Sequence, residues 1–91
     1  MPLYLTEADV DSLLTPADAL EAVEESFHRL ARGSVENPPR TRLRLDAGRL
    51  AVMPAVDREL GVGGLKTYGA FREGARFLVV LFDAAAPDVL A

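Results

Sequence analysis

The run Asn37-Pro38-Pro39 divides this chain into two parts that must fold differently. Two consecutive prolines cannot continue a helix, and each pushes the residue before it toward extended geometry. Upstream, apolar residues recur at helical spacing; downstream they alternate as they do in strands. The expected fold is therefore α+β (α/β), with two N-terminal helices packed on a mainly antiparallel sheet.

Local signals sharpen this division. Leu3-Tyr4-Leu5 is a short apolar start that reads as a strand. Thr6 is placed to cap a first helix over residues 7–14, whose early acids suit the positive end of the helix dipole. Thr15 caps a second helix that opens on Pro16, where a missing N–H costs nothing, and runs to Ala31 or Arg32. Leu20, Val23, Phe27, Leu30 and Ala31 share one face of it, and Gly33 is its natural stop.

Beyond the prolines, Thr41, Leu43 and Leu45 alternate with Arg40, Arg42 and Arg44, the pattern of a half-buried strand. Asp46-Ala47-Gly48 is a turn signal, and residues 50–55 return as the second arm of a hairpin. Residues 61–68 and 76–82 read as two further strands, the last of them buried. Turns are expected at Arg72-Glu73-Gly74-Ala75 and at residues 83–88. Val89-Leu90-Ala91 opens an apolar segment that would be the missing second arm of the last hairpin, so the chain reads as the first part of something longer.

Ninety-one residues suffice for one small domain with a thin core. There is no cysteine, which excludes disulfides, thiol catalysis and thiolate metal sites. The longest strongly apolar run, Phe77 to Phe82, is too short to span a bilayer. No N-terminal targeting pattern is present, so a cytoplasmic location is the default expectation and no membrane partner is expected. The net charge of −4 argues against nucleic acid as a partner. Charge is unevenly spread: residues 1–28 hold seven acids and no lysine or arginine, whereas residues 29–91 hold seven acids and all ten bases.

Lys66 is the one lysine among those ten bases. It follows Gly61-Val62-Gly63-Gly64-Leu65, on a strand that glycines weaken unless a backbone or a ligand must approach closely. Arg40, Arg42 and Arg44 fall on one strand face, and arginine is suited to bidentate capture of carboxylate or phosphate. Bland alternatives exist for both features. Three strand arginines suit a solvated face, and a lone lysine suits an edge strand. Taken together, the two runs point to an anion site for the carboxylate of a small acid. The glycines have neither the spacing nor the following helix of a dinucleotide loop. His28 reads as a surface residue, Asp46 and Asp83 as turn residues, and Met53, on the same strand face as Ala51, as packing.

These residues also occur in a familiar order. The Leu-Tyr-Leu start, the helix Ala19-Leu20-Glu21-Ala22-Val23-Glu24-Glu25-Ser26-Phe27, and Asn37-Pro38-Pro39-Arg40-Thr41-Arg42 come first. Val52-Met53-Pro54-Ala55, Gly64-Leu65-Lys66-Thr67-Tyr68 and Leu81-Phe82-Asp83 follow. Together they resemble the N-terminal segment of the ornithine cyclodeaminase/mu-crystallin family, over essentially the whole chain.

The resemblance implies that residues 1–91 form the N-terminal part of a substrate-binding and dimerisation domain. A Rossmann domain for NAD or NADP would follow Ala91, and the full protein would be a homodimer. It further implies that Arg42 binds the substrate carboxylate, with Arg40 in reserve. Lys66, 24 residues beyond Arg42 as in the family pattern, would lie beside the same carboxylate and the reacting carbon as the catalytic residue. Family members move a hydride from an amino-acid Cα to the nicotinamide. They then complete a cyclodeamination or stop as dehydrogenases, and others run in reverse as ketimine reductases.

Two departures bear on the substrate. Gly74-Ala75-Arg76-Phe77 stands where the family usually has Gly-Leu-Pro-Thr. Met53 stands near the position at which ornithine-specific members place a glutamate, and a thioether cannot pair with an ammonium. The resemblance thus implies an NAD(P)-dependent enzyme acting on a small amino or imino acid other than ornithine. Residues 1–91 alone are expected to be inactive and to bind no cofactor. The competing expectation is a non-catalytic dimerising or ligand-binding module.

Overall fold

Each of the two helices begins at a threonine whose side chain closes a reciprocal cap. The computed structural model describes residues 2–91. Helix α1 spans Glu7–Leu13; the Thr6 hydroxyl accepts from the Asp9 N–H while the Asp9 carboxylate accepts from the Thr6 N–H. Helix α2 spans Pro16–Ala31 and repeats the device with Thr15 and Asp18. Each cap satisfies two backbone donors that a bare helix start leaves orphaned. Gly33, at φ 81°, ends α2 in the left-handed region that glycine enters without strain.

Five strands follow: β1 Val35–Glu36, β2 Thr41–Arg44, β3 Gly48–Asp57, β4 Val62–Phe71 and β5 Gly74–Asp83. All pairings are antiparallel, in the order β1-β3-β4-β5, with β2 also on β3 beyond β1. Both central ladders run ten residues, from Gly48 opposite Phe71 to Asp57 opposite Val62, and from Val62 opposite Asp83 to Phe71 opposite Gly74. Residues directly opposite each other share a sheet face, so the register sorts the side chains. One face carries Val35, Arg42, Ala51, Met53, Asp57, Gly64, Lys66, Tyr68, Phe77 and Leu81. The other carries Leu43, Leu50, Val52, Leu65, Leu78 and Phe82.

The C-terminal half of α2 sits over one end of the first face. Phe27 and Leu30 face Val35, Ala55, Val62 and Leu81 across an apolar cleft of about 310 Å³. Three contacts fasten the helix there: Arg29 to Asp57 at 2.6 Å, Arg32 forked onto Glu59 at 3.0 and 3.1 Å, and the Arg58 N–H to the Ser34 carbonyl at 2.9 Å.

Several expectations need correction. Leu3-Tyr4-Leu5 forms no strand; the Leu3 N–H instead reaches the Leu90 carbonyl at 2.9 Å. A short β1 appears that alternation over two residues could not signal. β2 is exposed throughout rather than half-buried. β5 is not a buried strand: Phe77, Leu78 and Val79 are 56–64% exposed. A strand is buried only where something packs on it, and among the described residues α2 covers one end of one face. Ala51, at 1% exposure, is the one buried apolar residue described. Residues 89–91 do return along β5, as their apolar character suggested: Val89 pairs with Phe82 and the Leu90 N–H bonds the Leu81 carbonyl at 2.7 Å.

Candidate functional site

Two adjacent rows of side chains cross the sheet on the face that α2 only partly covers. One row runs Arg42, Ala51, Tyr68, Phe77 across β2, β3, β4 and β5; the next runs Met53, Lys66, Val79 across β3, β4 and β5. Arg42 and Lys66 therefore project from the same face. Strands lie about 4.8 Å apart and advance about 3.4 Å per residue, so the two backbones are separated by about 12 Å, within the joint reach of two long side chains. Arg40 precedes β2, yet it reaches the same face: its Nη1 donates to the Tyr68 phenol oxygen at 3.0 Å. Arg40, Arg42 and Met53 line an open depression of about 600 Å³ together with Asn37, Pro38 and Pro39.

Local sequence explains this convergence. The two prolines hold the chain extended as it enters β2, which fixes the approach of Arg40 and Arg42. Ala51 puts only a methyl between Arg42 and Tyr68, leaving room for longer side chains to lean across it. Lys66 lies on β4, which is paired along both edges, so the edge-strand explanation for the lone lysine does not apply.

The electrostatics of this face are one-sided. Among the described residues, Arg40, Arg42 and Lys66 form no ion pair; the pairs present involve His28, Arg29, Arg32 and Arg58. The acids projecting from strands on this face, Asp57 and Asp83, lie at its other end. Asp57 is bound by Arg29, and Asp83 accepts from the Ala85 N–H at 2.7 Å. Lys66 Nζ instead lies 5.9 Å from the Tyr68 ring centroid and 5.8 Å from that of Phe77. Arg44 and Arg49 share this face and form no ion pair among the described residues either, so the arrangement offers a group of unneutralised cations beside methionine and aromatic carbon. Chemically, that suits a carboxylate attached to a small apolar body.

The helix-covered end has the opposite character. Burial pushes the Asp57 carboxyl up, but the Leu60 N–H and the Arg29 hydrogen bond and charge together outweigh it and hold it below its ordinary value. The Arg32 hydrogen bond and then the Ser34 hydroxyl lower Glu59 likewise. The cleft there has Asp57 as its one ionisable lining residue, already engaged by Arg29. This end is an anchoring structure.

Of the residues singled out from sequence, Arg40, Arg42, Met53 and Lys66 thus occupy one face, with Arg44 pointing to it from the far end of β2. Sequence reasoning missed Tyr68 and Phe77. Tyr68 was within reach, since it stands two residues after Lys66 and so shares its face. Phe77 was not, because its place opposite Tyr68 depends on the register of the β4–β5 hairpin.

The glycine run gives no nicotinamide site. Gly61, at φ 74°, is in the β3–β4 turn, and Gly63 and Gly64 are paired into β4 with β3 on one side and β5 on the other. Those ladders occupy backbone groups that a phosphate would need. Gly64 has a packing role, since a Cβ there would stand 3.1 Å from the Val80 carbonyl oxygen.

Residues 2–81 match the profile of the Ornithine cyclodeaminase/mu-crystallin family. An alanine dehydrogenase of Archaeoglobus fulgidus is 41% identical over 64 residues, which is 70% of this chain and 19% of that protein. Among solved structures, a probable ornithine cyclodeaminase from Bordetella pertussis Tohama I superposes with a TM-score of 0.92 at 30% identity, covering 100% of this chain and 29% of the other. An archaeal alanine dehydrogenase dimer with bound NAD superposes with a TM-score of 0.90 at 31% identity, covering 99% of this chain and 30% of the other. The matched residues thus cover 19% to 30% of the length of these relatives.

Proposed function

Because the chain belongs to the ornithine cyclodeaminase/mu-crystallin family, we propose that its Arg42–Lys66 face binds the carboxylate of a small amino or imino acid in an NAD(P)-dependent enzyme. The observation that carries this reading is the grouping of Arg40, Arg42 and Lys66 on one sheet face with no ion-pair partner among the described residues. Arg42 supplies a planar fork for a bidentate carboxylate, and Lys66 a compact charge beside it. Their service to the reaction is orientation and charge stabilisation. Lys66, on β4 paired along both edges, is the residue proposed to stand beside the reacting carbon.

Met53, directly opposite Lys66, offers the substrate side chain no ionic partner. Together with the alanine dehydrogenase relatives, this favours dehydrogenation of an amino acid with a small apolar side chain over cyclodeamination of ornithine. In this reading residues 1–91 are the N-terminal part of a substrate-binding and dimerisation domain. The nicotinamide belongs to a Rossmann domain outside them, and the assembled enzyme is a homodimer. Among the described residues no helix is long and apolar enough to cross a membrane.

Calorimetric titration of the chain with L-alanine and with pyruvate tests the site. The proposal expects saturable binding that weakens about tenfold or more in each of Arg42→Met and Lys66→Met while circular dichroism is unchanged. Affinity unchanged by both substitutions would remove the site from this face.

A further inference from the structure

Two aromatic rings beneath a lysine that has no carboxylate partner call for a reason. Tyr68 and Phe77 stand opposite each other on β4 and β5, their centroids 4.9 Å apart and their planes at 36°. Lys66 Nζ is within 6 Å of both centroids, inside the range at which the negative ring face attracts a cation. The same Tyr68 accepts a hydrogen bond from Arg40 through its phenol oxygen at 3.0 Å. Tyr68 therefore touches two of the free cations, Lys66 and Arg40, through two different parts of its side chain. Without it, Arg40, which lines the open depression, would lose this hydrogen bond, and Lys66 would keep only the Phe77 ring.

We infer that Tyr68 is the positioning residue of this site: its ring, paired with that of Phe77, seats the Lys66 ammonium, and its phenol oxygen orients Arg40. This rests on the carboxylate-binding reading above and adds a residue to it. Neutral aromatic carbon does this work better than an acid would. A carboxylate near Lys66 would neutralise the charge that the substrate has to meet, whereas a ring holds the ammonium and leaves its charge available. Ala51, between Tyr68 and Arg42 in the row, belongs to the same device because any larger side chain would part the tyrosine from the arginines.

The two contacts separate by substitution. Tyr68→Phe removes the Arg40 acceptor and keeps the ring; Tyr68→Leu removes both; Phe77→Leu removes the second ring alone. In the whole 91-residue chain, the Lys66 Hε protons are expected upfield of their random-coil position from the ring currents. They should stay there in Tyr68→Phe and move downfield in Phe77→Leu and further in Tyr68→Leu. With L-alanine as the probe, Tyr68→Leu should weaken binding about two- to fivefold, the scale of one exposed cation–π contact. In a Lys66→Met background the ring's share of that loss should disappear, which a merely structural tyrosine would not show.

Random-coil Hε shifts in the unsubstituted chain, or an equal loss with and without Lys66, would overturn the inference. If Tyr68→Leu fails to fold, Phe77→Leu and Tyr68→Phe still decide it through the proton shifts. If the unsubstituted chain binds no L-alanine, the carboxylate reading fails on its own, and the ring-current shifts alone judge the seating of Lys66.

Discussion

The two ends of one sheet face use arginine in opposite ways. At the end beneath α2, Arg29 and Arg32 meet Asp57 and Glu59, and nearby Arg58 meets Glu36. At the other end, Arg40 and Arg42 meet no acid among the described residues, and Lys66 meets only rings. A charge consumed inside the fold anchors an element, whereas one left open is available to a ligand. Composition treats all of these residues alike; only their partners distinguish them.

The largest expected effect separates the two ends directly. Arg42→Met should weaken L-alanine binding about 10- to 100-fold, as expected for losing a charge-assisted bidentate contact, and leave the melting temperature unchanged. Arg29→Met should do the reverse, lowering the melting temperature by loosening α2 while the folded fraction keeps its affinity. Calorimetric titration and thermal melts on both variants check this. If either substitution moved both readouts equally, the division of labour would be wrong.

Crowding the junction between rows should cost less. Ala51→Leu places extra volume at the one buried apolar position described and is expected to destabilise the chain by about 1–3 kcal/mol in urea unfolding. The same substitution should break the Arg40–Tyr68 hydrogen bond, read as a change in the Arg40 Nη resonances. Smaller still is Thr15→Ala, which removes the α2 cap and should cost about 1 kcal/mol without touching ligand binding.

Acid should also discriminate between the two ends. Asp57 and Glu59 have folded pKa values below their ordinary 3.8 and 4.5, so each contributes stability that is complete above those ordinary values. That contribution is lost as the pH falls through the lower folded values. Amide chemical shifts of α2 should therefore report its release below about pH 4. Guanidinium groups do not titrate in this range.

Much of this was legible in the sequence, and the gaps have physical causes. Both helix starts followed from Thr6 and Thr15 as caps, the second with Pro16 behind it, and the end of α2 followed from Gly33, because caps are local chemistry. Alternation placed Arg42 and Arg44 on one face, and Asn37-Pro38-Pro39 marked the change of class. Burial was misjudged on β2 and β5, since an apolar strand signals that it suits a covered face and says nothing about what covers it. Leu3-Tyr4-Leu5 has strand composition but found one hydrogen bond, to Leu90, rather than a ladder. At the site, Lys66 and Arg42 came from local pattern and family resemblance, whereas Phe77 depended on a ten-residue register no local signal encodes.

The account rests on Arg42 and Lys66 acting as one anion site, and a side-chain NMR titration with L-alanine measures that directly. The expected result is that the Arg42 Nε–H and Lys66 Hε signals shift along saturating curves with a single shared midpoint, while Arg29 and Arg32 remain still. Separate midpoints, or movement at Arg29 and Arg32 with none at Lys66, would contradict it.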